Sequence, residues 1–330
     1  MRLPVSLQRS IQLSSRAKGA SHGRRYIQTT VNSDEINHFS RLSAQWWDEH
    51  GEFAFLHRMN PVRMQFVRDK IIETARDEHD ESVTDEIGIK KDVLTGMDVL
   101  DVGCGGGLLS ESLARLGANI LGIDASESNI GIASLHSAAD PQLSPSPPGS
   151  RSPSGSLSYR NIAAEGLLQE PRRFDVVCSM EVLEHVDNPA TFLSTCAELV
   201  KPGGHLFLST IARTPLSYFL TIFTAEYLLR KVSIGTHTYS KFVNPSEIVS
   251  FFQSYRSPLL TSHDAPDSSS FGRPWITRTY DHGLPTRTEA EVRGMIYVPW
   301  KGEWVLMPRS STAWGATECN YMFWVRKPRE

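Results

Sequence analysis

Apolar residues in the middle of the chain fall into short runs that alternate with longer stretches of helical periodicity. The runs MDVLDVG from Met97, ANILGID from Ala118 and RRFDVVCSM from Arg172 are typical of buried strands. The stretches LLSESLARLG and SESNIGIASLHSAA between them favour helices, the first with Gly117 as its stop signal. Strands and helices that alternate at this spacing form parallel βαβ units, so the pattern predicts a doubly wound α/β fold.

Helical patterns precede this region, and further strands follow it. Ser33 opens the stretch SDEINHFSRLSAQWWDEHGEF as an N-cap candidate followed by acidic residues, and NPVRMQFVRDKIIETA predicts a second helix. We assign residues 31–95 to an N-terminal helical cap and residues 96–330 to the main domain. After the turn KPGG, strands are predicted at HLFLST, EVRGMIYVP and CNYMFWVRK.

Three segments have the composition of connectors. RDEHDESVTDEIGIKKD is strongly charged and is expected to be a solvated linker. DPQLSPSPPGSRSPSGS, at about residues 140–156, is rich in Pro, Ser and Gly, which favours a disordered insertion in one loop. SPLLTSHDAPDSSSFGRP, near residues 257–275, is expected to be a second loop-like insertion.

The first thirty residues differ from the rest of the chain in charge. They carry six basic side chains and no Asp or Glu, are rich in Ser and Gln, and lack a long apolar core. This composition is typical of a mitochondrial transit peptide, predicted over residues 1–30, and the alternative is a disordered basic tail. Removal of the six charges changes the formal net charge from −3 to −9. A mildly acidic body without a basic stripe argues against nucleic acid as a partner.

The cysteines are scattered along the chain and form no CxxC pair, at Cys104, Cys178, Cys196 and Cys319. This spacing indicates neither a disulfide framework nor a zinc ribbon, and reduced thiols suit a matrix or cytosolic compartment. No uninterrupted apolar run reaches the length of about 18 residues expected of a membrane-spanning helix. The apolar stretch TPLSYFLTIFTAEYLLRKV, at about residues 215–232, is expected to be a lid, a surface contact with a membrane, or core.

A glycine-rich turn follows the first predicted strand. In LDVGCGGG, Gly103, Gly105 and Gly107 allow the backbone to approach a ligand closely. Asp124 ends the next strand, where it can accept hydrogen bonds from ribose hydroxyls, so this region indicates a nucleotide-like ligand. The third glycine comes one position earlier than in the dinucleotide fingerprint GxGxxG. That disfavours NAD or a flavin, but these ligands and a turn without a ligand stay open.

Three side chains that can bind a metal or act as acid or base follow the strand RRFDVVCSM. In CSMEVLEHVDNP, Glu181, Glu184 and His185 occupy positions i, i+3 and i+4, and they share one face if a helical turn begins after Met180. Open α/β sheets bind their ligands at the carboxyl ends of parallel strands. Two carboxylates and an imidazole there can bind a divalent cation, His185 can act as a metal-free general base, or the acids can simply cap or pair.

Five stretches together resemble one family. WWDEHGEFAFLHRMNPVR, VLDVGCGGGLLSESLARLGA, MEVLEHVDNP, LVKPGGHLFLSTIAR and AEYLLRKVSIGTHTYSKFVNPSE look like the ubiquinone biosynthesis O-methyltransferases, which are class I S-adenosylmethionine-dependent methyltransferases. The resemblance covers Ser33 to Phe252 well and afterwards only GMIYVPW and CNYMFWVRK. It implies a Rossmann-like, mostly parallel seven-stranded sheet with S-adenosylmethionine as the methyl donor.

The resemblance also implies cofactor-binding roles. Arg63 in NPVR would bind the carboxylate of S-adenosylmethionine, for which a guanidinium fork is suited. Gly103 and Asp124 would line the cofactor, and Met180 would lie against it.

The same resemblance implies that Glu181, Glu184 and His185 bind Mg²⁺ and act in catalysis. The family methylates polyprenylated catechols, 3,4-dihydroxy-5-polyprenylbenzoate and demethylubiquinol, and a phenol with a pKa of about 10 is a weak nucleophile. A cation lowers the pKa of a bound oxygen, and both oxygens of a catechol can chelate it. The competing role of His185 is that of a general base, since a metal-bound imidazole cannot take a proton.

Location and partners are implied by the family and by the N-terminal composition. We expect a mitochondrial protein held peripherally on the matrix side of the inner membrane, within a multi-subunit ubiquinone-synthesis complex. The alternative functions are a methyltransferase for another small-molecule or protein acceptor, a non-catalytic S-adenosylmethionine-binding assembly subunit, and an NAD-linked oxidoreductase.

Overall fold

A computed structural model of the chain describes residues 29–78, 92–143, 155–258, 271–280, 283–309, 311 and 316–329. The predicted transit peptide lies outside the described residues except for Thr29 and Thr30. The predicted charged linker and the two predicted insertions lie mostly outside them as well. These assignments, and the boundary between cap and main domain, stay predictions.

Strands and helices alternate through the middle of the described chain, as predicted. The strands are β1 (Asp98–Val102), β2 (Asn119–Asp124), β3 (Leu157–Asn161), β4 (Phe174–Met180), β5 (Val200–Ile211), β6 (Arg256–Pro258), β7 (Phe271–Pro274), β8 (Ala290–Val298), β9 (Glu303–Leu306) and β10 (Asn320–Arg326). The α-helices of more than one short turn are α1 (Ser33–Leu42), α2 (Ala54–Arg76), α3 (Leu108–Arg115), α4 (Glu127–Ala139), α5 (Ala164–Leu167), α6 (Pro189–Leu199) and α7 (Pro245–Ser254).

Eight of the described strands form one sheet in the order β3-β2-β1-β4-β5-β10-β8-β9. The first five in that order are parallel, and β10 is antiparallel to both β5 and β8. This arrangement confirms the mostly parallel, Rossmann-like sheet. The sheet has one strand more than the seven expected because β9 joins its edge as a hairpin with β8, where Met295 pairs with Leu306.

Apolar side chains cover both faces of the sheet. Phe207 and Leu208 are successive residues of β5, so their side chains point to opposite faces. Phe207 packs in one cluster with Phe66 of α2, while Leu208 packs in another with Phe192 of α6 and Phe252 of α7. Each fully buried side chain of this size contributes roughly 1.5–3 kcal/mol to folding. Helices on both faces confirm the doubly wound architecture.

The cap of the first helix differs from the prediction. Asn32, not Ser33, is the N-cap of α1, because its side-chain oxygen accepts hydrogen bonds of 3.0 Å from the backbone N–H groups of Asp34 and Glu35. The acidic first turn is as predicted and suits the positive end of the helix dipole.

Two segments, one predicted to be a turn and one predicted to be a loop, contain β-strand residues. β5 begins at Val200 and runs through KPGG, which was expected to be a turn, because Val200 already pairs with Phe174 of β4. The predicted loop near residues 257–275 is bounded by the antiparallel pair β6 and β7. Pro258 pairs with Phe271 there, so the two ends of that segment are held together.

The apolar stretch at about residues 215–232 forms one α-helical turn, Pro215–Ser217, followed by a π-helix, Tyr218–Leu228. Ile222 packs against Phe242 in a small buried cluster. Large exposed apolar side chains surround it, at Tyr218, Phe219, Leu220, Phe223, Tyr227, Leu228 and Leu229. A purely core role for this segment is therefore excluded. Among the described residues, no helix has the length and apolar character needed to cross a bilayer.

Candidate active site

The glycine turn after β1 has backbone conformations that favour glycine. Gly103 and Gly105 have φ angles of +72° and +52°. A Cβ atom at Gly103 would lie 2.5 Å from Cγ2 of Val182, and one at Gly105 would lie 2.3 Å from Cζ2 of Trp46. The turn is therefore in close contact with the residues after β4 on one side and with an indole of the N-terminal segment on the other.

Arg63 is the buried cation of this region. It lies on α2 with 4% of its surface exposed, and its Nη2 is 3.7 Å from Oε1 of Glu181. Its Nε and Nη2 have no hydrogen-bond partner among the described residues. Burial lowers the pKa of Arg63 and Glu181 opposes that shift, but a guanidinium stays protonated in proteins. A buried guanidinium with free N–H groups fits the predicted carboxylate of the cofactor.

Two acids flank the glycine turn. Asp101 accepts a hydrogen bond of 2.6 Å from Oγ of Ser110, and burial raises the pKa of Asp101 to about 6. Asp124 accepts hydrogen bonds from the N–H groups of Gly105 and Ser126, at 3.0 and 2.8 Å. Burial raises the pKa of Asp124, and these N–H groups oppose the shift. Asp124 thus stabilises the turn from the end of β2. This is the position predicted for an acid that binds ribose hydroxyls.

Glu181 departs from the helical geometry expected for CSMEVLEHVDNP. Its φ angle of +56° lies in the left-handed region, which is unusual for a residue with a side chain. The chain then forms a short 3₁₀ turn, Leu183–His185, instead of an α-helix. The condition for Glu181, Glu184 and His185 to share one helical face, a helical turn that begins after Met180, is therefore not met.

Glu181 and Glu184 nevertheless form a pair of interacting acids. Thr210 donates a hydrogen bond of 2.7 Å to Oε2 of Glu184. The Oε1 atoms of Glu181 and Glu184 are buried and have no hydrogen-bond partner in the described part of the chain. Burial raises the pKa of Glu184 to about 8, and the negative charge of Glu181 adds to the shift.

His185 is turned toward the N-terminal helix. Its Nδ1 is 3.0 Å from Oε2 of Glu35, whose Oε1 accepts a hydrogen bond of 2.9 Å from Lys241. Burial by itself raises the pKa of Glu35, but His185 and Lys241 outweigh it and lower that pKa to about 2. Burial lowers the pKa of His185, and Glu35 opposes that shift only in part. The imidazole is therefore neutral at pH 7, with its Nδ1–H directed to a carboxylate.

The predicted three-residue metal site is not assembled. No three His, Cys, Asp or Glu side chains of the described residues are placed so that they could hold a metal ion together. Glu181 and Glu184 offer free carboxylate oxygens, whereas His185 is engaged by Glu35. The residues present therefore fit a divalent cation only through the two carboxylates.

One cavity of about 490 Å³ collects the predicted site. Each residue predicted to bind cofactor, bind metal or act in catalysis lines it, namely Arg63, Gly103, Asp124, Met180, Glu181, Glu184 and His185. The cavity lies at the carboxyl ends of the parallel strands, as the fold requires. Side chains predicted to bind the cofactor or to act in catalysis, from distant parts of the chain, thus face one space.

Other lining residues were not indicated by sequence reasoning. Glu35 comes from α1, His237 from the segment after the π-helix, and Tyr297 and Trp304 from the hairpin of β8 and β9. In the sequence, Glu35 was interpreted only as one of the acidic residues that mark the start of α1. The only signal for His237 was its place in the stretch AEYLLRKVSIGTHTYSKFVNPSE, which gave it no role.

The fold and this cavity define a class I S-adenosylmethionine-dependent methyltransferase. Residues 74–255 match the methyltransferase domain family. The free N–H groups of Arg63, the close glycine turn and Asp124 suit the carboxylate, the backbone approach and the ribose of this cofactor. The ligand of the glycine turn, left open by its spacing, is therefore S-adenosylmethionine, and the NAD alternative is not supported.

The curated relatives narrow the class further. A protein of Agrobacterium fabrum (strain C58) named ubiquinone biosynthesis O-methyltransferase is 43% identical over 304 residues, which are 91% of this chain and 97% of that protein. One of the same name from Sinorhizobium fredii is 44% identical over 222 residues, 67% of this chain and 80% of that protein. The chain belongs to the ubiquinone biosynthesis O-methyltransferase family, and the predicted family and enzyme class are confirmed.

Similarity to solved structures is more distant. A possible histamine N-methyltransferase from Thermotoga maritima is 13% identical, with a TM-score of 0.44, over 89% of this chain and 99% of that one.

Proposed function

We propose that the chain transfers the methyl group of S-adenosylmethionine to hydroxyls of polyprenylated catechols, 3,4-dihydroxy-5-polyprenylbenzoate and demethylubiquinol. The observation that carries the proposal is that the cofactor residues and His185 line the same cavity as apolar residues of the π-helix. Leu220 and Leu229 suit a polyprenyl chain, while the buried polar groups suit the cofactor and the catechol oxygens.

His185 is the residue that takes the phenolic proton in this proposal. Because its Nδ1–H is directed to Glu35, its Nε2 carries the lone pair that accepts a proton. The phenolate oxygen then attacks the methyl carbon of the sulfonium, and the electron pair of the broken C–S bond stays on sulfur. Arg63 and Asp124 hold the donor so that the attack is in line, which is where positioning contributes most.

A divalent cation, Mg²⁺ in the sequence prediction, would be held by Glu181 and Glu184. Their Oε1 atoms accept no hydrogen bond from the described residues, although that of Glu181 lies 3.7 Å from Nη2 of Arg63. This supports the assignment, since Mg²⁺ in proteins is bound through one or two carboxylates and keeps several waters. When bound, the cation would lower the pKa of a phenolic oxygen. His185 stays available as the base because its Nδ1 is paired with Glu35 and its Nε2 is not needed to hold the cation.

The direct test is methyl transfer from S-adenosylmethionine to 3,4-dihydroxy-5-prenylbenzoate by the protein lacking residues 1–28. We expect a methylated product detectable by mass spectrometry, and no product when His185 is replaced by Asn. Cofactor binding without transfer to this acceptor would contradict the proposed substrate and favour a methyltransferase for another acceptor. Stripping with a chelator and restoring magnesium tests the cation separately, since activity indifferent to both would remove it from the proposal.

We further propose that the protein acts in mitochondria, peripherally on the matrix side of the inner membrane, and within a multi-subunit ubiquinone-synthesis complex. The basic N-terminal composition supports the compartment. The exposed apolar side chains of the π-helix support contact with a lipid surface, where a water-insoluble substrate is found. Membership of the complex rests on the family alone.

The membrane contact is testable by flotation with phospholipid vesicles. Phe219 and Phe223 stack at 5.5 Å and are 54% and 47% exposed, so their joint replacement by Ser is expected to abolish flotation. Leu135 on α4 is 70% exposed and provides the control, because its replacement by Ser should leave flotation unchanged. Equal flotation of all three proteins would contradict the proposed surface.

A further inference from the structure

We propose that His237 is a second substrate-contacting residue, which holds the catechol oxygen adjacent to the one that is methylated. The inference rests on the proposed function and deepens it, because it names the group that selects a catechol over a phenol with a single hydroxyl. It concerns a residue to which neither the sequence prediction nor the proposed mechanism gives a role.

A buried carboxylate fixes the orientation of His237. Glu226, on the π-helix, is 1% exposed, and its Oε1 lies 2.8 Å from Nδ1 of His237. The same oxygen accepts a hydrogen bond of 2.9 Å from the backbone N–H of His237, and Oε2 accepts one of 2.8 Å from Gly235. The carboxylate therefore has partners on both oxygens, and the imidazole has little freedom to rotate.

The hydrogen bond to Glu226 also determines which ring nitrogen is available. With the proton of a neutral imidazole on Nδ1, Nε2 is an acceptor. No described residue hydrogen-bonds Nε2 of His237, and the residue lines the cavity that holds the predicted site. This nitrogen is therefore available to a ligand hydroxyl.

His237 repeats the arrangement of His185. Both imidazoles have Nδ1 next to a carboxylate, that of Glu226 or of Glu35, and their ring centroids are 6.3 Å apart. Lys241, which is paired with Glu35, is a further charged group on this side. The cavity thus presents two neighbouring imidazole acceptors of fixed orientation.

Two adjacent acceptors match the two adjacent hydroxyls of a catechol. In the reaction, His185 takes the proton of the attacking oxygen, which forms the new C–O bond as the C–S bond breaks. His237 accepts a hydrogen bond from the neighbouring O–H, which keeps its proton throughout. A phenol without the second hydroxyl leaves Nε2 of His237 desolvated and unpaired, and that penalty provides the discrimination.

The experiment compares two ligands on two proteins. Dissociation constants of 3,4-dihydroxy-5-prenylbenzoate and of 3-hydroxy-5-prenylbenzoate are measured on the enzyme loaded with S-adenosylhomocysteine, with chelator present. The variant is His237→Asn, because Asn can still donate to Glu226 but has no atom in the place of Nε2. We expect the wild type to prefer the catechol by about tenfold or more, equivalent to one good hydrogen bond, and the variant to lose most of that preference.

His136 is the matched control. Its Nδ1 lies 2.7 Å from the buried Glu111 in the same kind of pair, but it does not line the cavity. His136→Asn is expected to keep the wild-type preference. In His237→Gln, the amide oxygen reaches toward the place of Nε2, so this variant is expected to keep part of the preference for the catechol. It also replaces His237→Asn in the comparison if that variant does not fold.

Three results would overturn the inference. One is an unchanged preference in His237→Asn, and another is an equal loss of affinity for both ligands, which indicates a structural role. The third is a wild type that, with chelator present, binds both ligands equally. That result would indicate that a cation, not His237, holds the second oxygen of the catechol. In a separate assay with S-adenosylmethionine in place of S-adenosylhomocysteine, a wild type that methylates neither compound would instead contradict the proposed function itself.

Discussion

Thr210 donates a hydrogen bond to one carboxylate oxygen of Glu184 and leaves the other oxygen buried without a partner among the described residues. Burial, with the charge of Glu181 added, raises the pKa of Glu184 to about 8. In the unfolded chain this carboxyl titrates near its ordinary value of about 4.3. Between these two pH values the folded protein holds a proton that the unfolded chain has lost, so stability falls as pH rises through the window.

Glu184→Gln should remove this dependence. We expect the variant to unfold at a higher temperature than the wild type at about pH 8, and the difference to shrink toward about pH 5, because the amide has no charge to bury. Thermal unfolding across that range, without added metal, measures it. Glu127→Gln, at an exposed position in the first turn of α4, is the control. Parallel stability curves for the wild type and Glu184→Gln would refute the raised pKa.

Arg63 should determine the affinity for S-adenosylmethionine. Arg63→Lys keeps the charge but loses the planar fork, so we expect an affinity about 10- to 100-fold weaker by calorimetry. Arg68→Lys, on the same helix with a side chain 38% exposed, should bind as the wild type does. Equal affinity in both variants would show that the cofactor carboxylate is held elsewhere.

Gly105→Ala should damage both the fold and cofactor binding. The new Cβ would lie 2.3 Å from the Trp46 ring at a φ angle of +52°, so we expect a loss of about 1–3 kcal/mol in the free energy of unfolding. Gly131→Ala, in α4, meets nothing within 4 Å and should stabilise the protein by about 0.5–1 kcal/mol. Urea unfolding of the pair tests this, and a shift of the same sign in both would contradict it.

The N-terminal segment should contribute to stability from Thr30 onward. Thr30 is 2% exposed, and both its backbone N–H and its hydroxyl donate to Glu165. Thr30→Val should cost about 1–3 kcal/mol, because it leaves a buried carboxylate short of a donor, whereas the exposed Thr29→Val should change stability by less than about 0.5 kcal/mol. If a transit peptide is removed, we expect the mature N-terminus at or before Thr29. N-terminal sequencing would show it, and cleavage after Thr30 would contradict it.

The order of strands and helices could be predicted because it depends on local apolar periodicity. The strands β1, β2 and β4 and the helices α3 and α4 lie within two residues of their predicted places. The edge strand β9 was missed because four residues with alternating exposure carry little pattern. The strand character of KPGG was missed because pairing with Phe174 prevails over the turn preference of Pro and Gly.

The site was predictable in its membership but not in its geometry. The motifs predicted Arg63, Asp124 and His185 as site residues, and all three line the same cavity. This could be expected because the fold fixes where the strands end, and ligands bind at those ends. The left-handed backbone of Glu181 has no signal in the sequence. The roles of Glu35 and Glu226 depend on their contacts with His185, 150 positions away, and with His237, 11 positions away, which a single sequence does not reveal.

The place of β10 affects how this protein can be made. The strand is inserted between β5 and β8, although it follows both in the chain. The sheet therefore cannot close before residues 320–326 have left the ribosome, and until then β5 and β8 each present an unpaired edge. Every residue predicted for the site precedes residue 186, yet a premature stop before Asn320 would leave those residues in a nascent chain prone to aggregation.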